Sequence, residues 1–171
     1  MRWPTKIFLV GPMGAGKSTI GKQLAKLMGL GYIDSDREIQ KRTGVDIPTI
    51  FEFEGETGFR KREKEVIATL TEKDNVVLAT GGGAISEAEN RNNLSARGYV
   101  IYLYCTPEQQ HKRTSQDKNR PLLQNSDPLQ TLIDLMAERD PLYREVSDLV
   151  VSTEEKTALN TAKSILKHFD E

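Results

Sequence analysis

Short apolar runs alternate along the chain with longer stretches in which apolar residues recur every three or four positions. The runs at 7–10, 32–34, 76–80, 100–104 and 148–151 predict strands. Helical periodicity predicts helices over 18–28, 36–42, 59–72, 87–94, 107–115, 129–146 and 156–169. Strands alternating with helices predict an α/β fold with a parallel sheet and crossover helices on both faces. Ligands in such sheets sit at the carboxyl ends of the strands. That rule directs attention to residues 11–18, 34–36, 81–83 and 106. One segment, 115–128, breaks the alternation: SQDKNRPLLQNSDP is polar, punctuated by prolines and long for a connection, and reads as a lid.

The first strand end carries Gly11-Pro12-Met13-Gly14-Ala15-Gly16-Lys17-Ser18, a complete G-x-x-x-x-G-K-S loop between a buried strand and a helix. In this motif backbone N–H groups and a helix N-terminus face phosphate oxygens. Lys17 is expected to reach the β- and γ-phosphates of a nucleotide, and the Ser18 hydroxyl to ligate Mg²⁺. Gly14, Ala15, Gly16 and Thr19 complete the expected phosphate cradle.

The 171 residues suit one domain, 1–171, and the 24 basic and 25 acidic side chains leave a net charge of −1. Bulk charge therefore gives no footing for nucleic acid or an anionic membrane, and any anion must be bound by a few placed arginines. The single cysteine, Cys105, ends an apolar run and reads as a small buried hydrophobe rather than a nucleophile. The first strand begins almost at once and no apolar run approaches transmembrane length, so a cytoplasmic protein is expected.

Asp34-Ser35-Asp36 follows the second strand. Its two carboxylates suit a metal-supporting group and a base for a substrate hydroxyl; the competing reading is a helix cap by Ser35 or Asp36. Gly81-Gly82-Gly83 follows the third strand, where three glycines suggest close approach of backbone to a ligand. Arg60 stands out from its charged helix only because Phe59, and Phe51 upstream, suggest an apolar pocket wall. Arg139 reads equally well as a surface arginine. Arg120, before Pro121, would be the lid arginine that reaches a transferring phosphoryl group.

In order and spacing, GPMGAGKSTIG, DSD, GFRKRE, GGG, NRPLL and ERDPLYRE together closely resemble shikimate kinase, from Ile7 to about Val151. The resemblance implies a P-loop NTPase three-layer sandwich, its five-stranded parallel sheet in the order 2-3-1-4-5. It implies transfer of the ATP γ-phosphoryl to the 3-hydroxyl of shikimate in chorismate and aromatic amino-acid biosynthesis, with Mg²⁺ as cofactor. By resemblance Asp34 supports the metal through water, and Asp36 binds the acceptor hydroxyls and serves as base. Arg60 and Arg139 clamp the acceptor carboxylate, and Gly81, Gly82 and Gly83 contact the ring hydroxyls. Phe51, Phe59 and Glu63 line or brace the acceptor pocket, Arg113 stacks on adenine, and Arg120 meets the phosphates. The family also implies a monomer. Residues 152–157 (STEEKT) depart from it in lacking a proline near the adenine site. A gluconate-type kinase and a non-catalytic nucleotide-binding module are the rival readings.

Overall fold

The structure is a computed structural model that describes residues 2–115, 123 and 127–171. Five parallel strands form one sheet in the order β2-β3-β1-β4-β5, as expected. They are β1 (Lys6–Val10), β2 (Gly31–Asp34), β3 (Val76–Ala79), β4 (Tyr99–Tyr104) and β5 (Leu149–Ser152). Each lies within one or two residues of its predicted run. β1 sits centrally, with Phe8 opposite Leu78 on one side and Val100 on the other. From Ile7 to Val10 it is apolar without alternation because both faces are covered.

The helices are α1 (Lys17–Met28), α2 (Ser35–Thr43), α3 (Ile47–Leu70), α4 (Ala88–Arg97), α5 (Pro107–Thr114), α6 (Pro128–Val146) and α7 (Ala158–Asp170). The sheet divides the core in two. Ile7, Leu9, Val77, Ile101 and Leu103 pack against Leu24 and Ala25 of α1 and Ala162 and Ile165 of α7. Phe8, Leu78, Val100 and Tyr102 face the other way, against Val66 and Leu70 of α3, Leu94 of α4 and Tyr143 of α6. Cys105 is buried in the first of these layers, as its reading anticipated. None of the helices in the described residues is long and apolar enough to cross a membrane.

α3 departs most from expectation. It begins at Ile47, where periodicity placed its start at 59. Asp46 caps it, accepting from the Thr49 N–H at 3.0 Å, and Pro48 sits in the first turn, where its missing N–H costs nothing. Gly55, at φ 70° and ψ −178°, then breaks the helix and the chain resumes at an angle. Only glycine adopts that backbone geometry without strain. Arg62 on the far side of the break donates twice to the Glu54 carboxylate, both at 2.7 Å.

Candidate active site

The strand ends open onto one cavity of about 570 Å³. The phosphate loop forms its floor, contributing Gly14, Gly16, Lys17, Ser18 and Thr19. Ala15 does not line it: its methyl is buried in the core and its N–H donates to the Pro12 carbonyl at 3.3 Å, closing the loop turn. Lys17 Nζ curls over the loop and donates to the carbonyls of Gly11 and Pro12, both at 2.7 Å.

Asp34 ends β2 and caps α2. Its Oδ1 accepts from the N–H groups of Asp36, at 2.9 Å, and Arg37, at 3.3 Å. The cap is therefore Asp34 and not Ser35 or Asp36, and capping and site geometry coexist in one carboxylate. Its other oxygen, Oδ2, accepts from Ser18 Oγ at 3.1 Å and Tyr32 Oη at 3.3 Å. Two hard oxygen donors thus meet beside the phosphate loop, a donor set that suits Mg²⁺. Burial, the largest influence, pushes the Tyr32 hydroxyl up to about 12, with the Asp34 charge acting in the same direction.

The opposite wall comes from α3 and α6. Phe51 and Phe59 lie on either side of the Gly55 break with ring centroids 4.9 Å apart. Arg60 donates to Glu63 at 2.8 Å and to Glu56 at 3.4 Å. Burial works against the Arg60 charge, but these two carboxylates more than offset it and the pKa rises. Glu63 is fully shielded from solvent, and burial pushes its carboxyl up to about 7, against the pull of Arg60 and with Asp36 adding to the rise. Arg139, 6% exposed, reaches the cavity from α6 and is no surface arginine.

Asp36, Glu63 and the glycine triplet converge. A Cβ on Gly81 would fall 2.7 Å from Asp36 Oδ1 and 2.9 Å from Glu63 Oε2. On Gly83 it would fall inside the Arg60 guanidinium, and on Gly82 it would crowd the Met13 amide of the phosphate loop at 3.3 Å. Each glycine therefore admits a different polar group. The buried Ser35 hydroxyl accepts from the Gly81 N–H at 3.1 Å and ties the triplet to α2.

Arg113 lines the far end of the cavity. Its guanidinium donates to the carbonyls of Gly14, at 2.8 Å, and Thr153, at 3.0 Å, joining the phosphate loop to the end of β5. Met13, Arg37, Gln40, Ile47 and Thr80 also line the cavity and were not singled out from sequence. Thr80 was legible as the last residue of a strand run, and its hydroxyl donates to Leu9 at 2.8 Å. Gln40 and Ile47 come together only because Gln40 Oε1 accepts from the Ile47 N–H at 3.1 Å, across the turn between α2 and α3. Arg120 lies outside the described residues, as does most of the 115–128 segment read as a lid.

The family model described as shikimate kinase matches residues 13–170. Among curated proteins, a shikimate kinase from Methylococcus capsulatus is 53% identical over 99% of this chain and 95% of its own length. One from Halorhodospira halophila is 58% identical over 97% and 94% respectively. Among solved structures, shikimate kinase from Acinetobacter baumannii in complex with shikimate is 54% identical, covers 96% of this chain and 92% of that one, and superimposes with a TM-score of 0.94. The one from Aquifex aeolicus is 37% identical, covers 96% of both chains and gives 0.82. With a phosphate loop, a carboxylate pair, the buried Arg139 and the half-buried Arg60 around one cavity, and with these matches along almost its whole length, the chain belongs to the shikimate kinase family.

Proposed function

We propose that this chain is an ATP-dependent kinase that transfers the γ-phosphoryl group to the 3-hydroxyl of shikimate, giving shikimate 3-phosphate and ADP for chorismate and aromatic amino-acid biosynthesis. One observation carries the reading: the phosphate loop and the Asp36, Arg60 and Arg139 side chains open onto the same cavity. A small carboxylate with several hydroxyls matches that set. Two guanidinium groups bind one carboxylate by paired, charge-assisted bonds, and Asp36 accepts from a hydroxyl.

Phosphoryl transfer asks little covalent help of the protein, so orientation and positive charge supply most of the rate. Lys17 turns from its own loop carbonyls to the β- and γ-oxygens and neutralises their charge. The N–H groups of Gly14, Gly16, Ser18 and Thr19 hold the phosphates, and Ala15 closes the loop turn behind them. Asp36 aligns the acceptor hydroxyl with the phosphorus and takes its proton as the new P–O bond forms and the bond to ADP breaks. Glu63 holds Arg60 in place from behind. Gly81, Gly82 and Gly83 offer backbone to the ring hydroxyls, and Phe51 and Phe59 exclude water. Ser18 would hold Mg²⁺ directly and Asp34 through water, and the ion would add charge neutralisation at the phosphates. Arg113 borders the base of the nucleotide, and Arg120 is read as a further phosphate contact.

We read residues 1–171 as one kinase domain acting as a cytoplasmic monomer, and the net charge of −1 favours small-molecule over nucleic-acid partners. The test is ADP release from ATP and Mg²⁺ with shikimate, gluconate, nucleoside monophosphates or no acceptor. Release with shikimate alone supports the reading. Release with another acceptor replaces the acceptor assignment, and binding of ATP without release under any condition points to a non-catalytic nucleotide module.

A further inference from the structure

Gly81 to Ala84 form a tight turn, the Ala84 N–H donating to the Gly81 carbonyl at 3.1 Å. Its third residue, Gly83, has φ −94° and ψ 0°, the signature of a type I turn. A type II turn differs by a flip of the central peptide, here Gly82–Gly83, and requires positive φ at the third residue. Side chains normally oppose that flip. With glycine at both central positions, the local chain does not.

What opposes it comes from α6. The Tyr143 hydroxyl donates to the Gly82 carbonyl across 61 residues of sequence. Tyr143 is 1% exposed and does not line the cavity. Its ring is fixed against Tyr102, centroids 4.8 Å apart. Burial drives the hydroxyl pKa upward and outweighs Arg139, one helical turn before it, which pulls it down, so the hydroxyl stays protonated and able to donate. Because a trans peptide is planar, fixing the Gly82 carbonyl also fixes the Gly83 N–H in the opposite direction.

We infer that Tyr143 is a positioning residue that selects one of two orientations of the Gly82–Gly83 peptide, and so keeps the glycine turn in the form that receives the acceptor. This rests on the acceptor assignment proposed above. If only the selected form binds acceptor, losing the hydroxyl lowers the competent fraction, and the apparent acceptor affinity falls by that fraction while saturated turnover survives.

The experiment compares the wild type with Tyr143→Phe, which keeps the ring, and with Tyr102→Phe. The latter removes a neighbouring hydroxyl that donates to Asp140 at 2.7 Å, away from the turn. Tyr143→Phe is expected to raise KM for shikimate about tenfold, the scale of one lost buried hydrogen bond, with kcat and KM for ATP within about twofold. Tyr102→Phe is expected to leave KM for shikimate unchanged. In ¹⁵N NMR without substrates, the Gly83 amide is expected to be a single state in the wild type and to exchange with a second in Tyr143→Phe. An unchanged KM for shikimate, an equal rise in Tyr102→Phe, or a single Gly83 state in Tyr143→Phe overturns the inference. The amide signal needs no turnover, so it judges the turn even if the wild type uses another acceptor, the outcome that would overturn the acceptor assignment instead.

Discussion

Glu63 Oε1 accepts from Arg60 Nη1 at 2.8 Å, while Glu63 Oε2, equally buried, has no hydrogen-bond partner among the described residues. A half-paired carboxylate in a dry site resists ionisation, which is why burial outweighs the adjacent guanidinium and raises the pKa to about 7. In the unfolded chain the same group titrates near 4.5. Between those values the folded protein holds a proton that the unfolded chain has released, so this contribution to stability is present in acid and is lost as pH rises through about 7. Urea unfolding of the wild type and Glu63→Gln at about pH 4.5 and pH 8 should show the wild type losing on the order of 3 kcal/mol relative to the variant across that window. Parallel pH dependences would refute it.

Arg60 carries the complementary prediction. Arg60→Ala removes the cation that favours ionised Glu63, so the carboxyl holds its proton to still higher pH, and the loss of stability should be larger at about pH 8 than at about pH 4.5. Adding Glu63→Gln should remove that pH dependence by taking away the buried titratable group. It should not restore acceptor binding, so KM for shikimate stays at least about tenfold high in both variants. Melting curves and initial rates on the two proteins separate the roles, and recovery of KM in the double variant would show that Arg60 does not touch the acceptor.

Asp36→Asn keeps shape and removes the basic oxygen. Turnover should fall by about 10²–10⁴-fold, the usual contribution of a positioned acid or base. ATP affinity, read by equilibrium binding, should hardly change. A variant with near-normal kcat would remove Asp36 from the mechanism.

Gly81→Ala places a methyl group against both the Asp36 and Glu63 carboxylates. The overpacking should cost about 1–3 kcal/mol and lower kcat/KM for shikimate more than for ATP. Steady-state rates with each substrate varied in turn decide it, and equal losses for both would argue for general loosening.

Asp34→Ala removes the α2 cap and the partner of Ser18 together. Stability should drop by about 1 kcal/mol. The Mg²⁺ concentration for half-maximal rate should rise, and EDTA should abolish activity of the wild type. A variant with an unaltered Mg²⁺ dependence would leave Asp34 a cap alone.

The strands and the phosphate loop were legible because their signals are local: an unbroken apolar run, a fixed glycine spacing. In the first half of α3 the apolar periodicity is interrupted by Pro48, Gly55 and Gly58. Pro48 falls in the first turn, and the Gly55 break is followed by more helix. Periodicity cannot report a helix that changes direction. Arg139 looked like a surface residue because the residues that line the cavity with it come from distant parts of the chain. Tyr143 gave no signal beyond that of a core aromatic, since its hydroxyl partner is 61 residues away. The glycine triplet suggested close approach, but only the packing reveals that Asp36, Glu63, Met13 and Arg60 are what approaches.

The break at Gly55 gives the acceptor wall its shape. In a straight helix, residues eight apart are separated by about 12 Å along the axis. Here Phe51 touches Phe59 and Glu54 grips Arg62, so the corner is clasped by an aromatic contact and an ionic one. A single stretch of chain thereby lines one wall of the cavity from both sides of the break. Such a bracket tolerates changes of side chain better than changes of length. One residue inserted or deleted between Gly55 and Phe59 would offset Phe51 and Glu54 from Phe59 and Arg62 by about 100° about the helix axis, and since Val66 and Leu70 anchor the later half of the helix to the sheet, the clasp at the corner would open while the phosphate loop keeps its place.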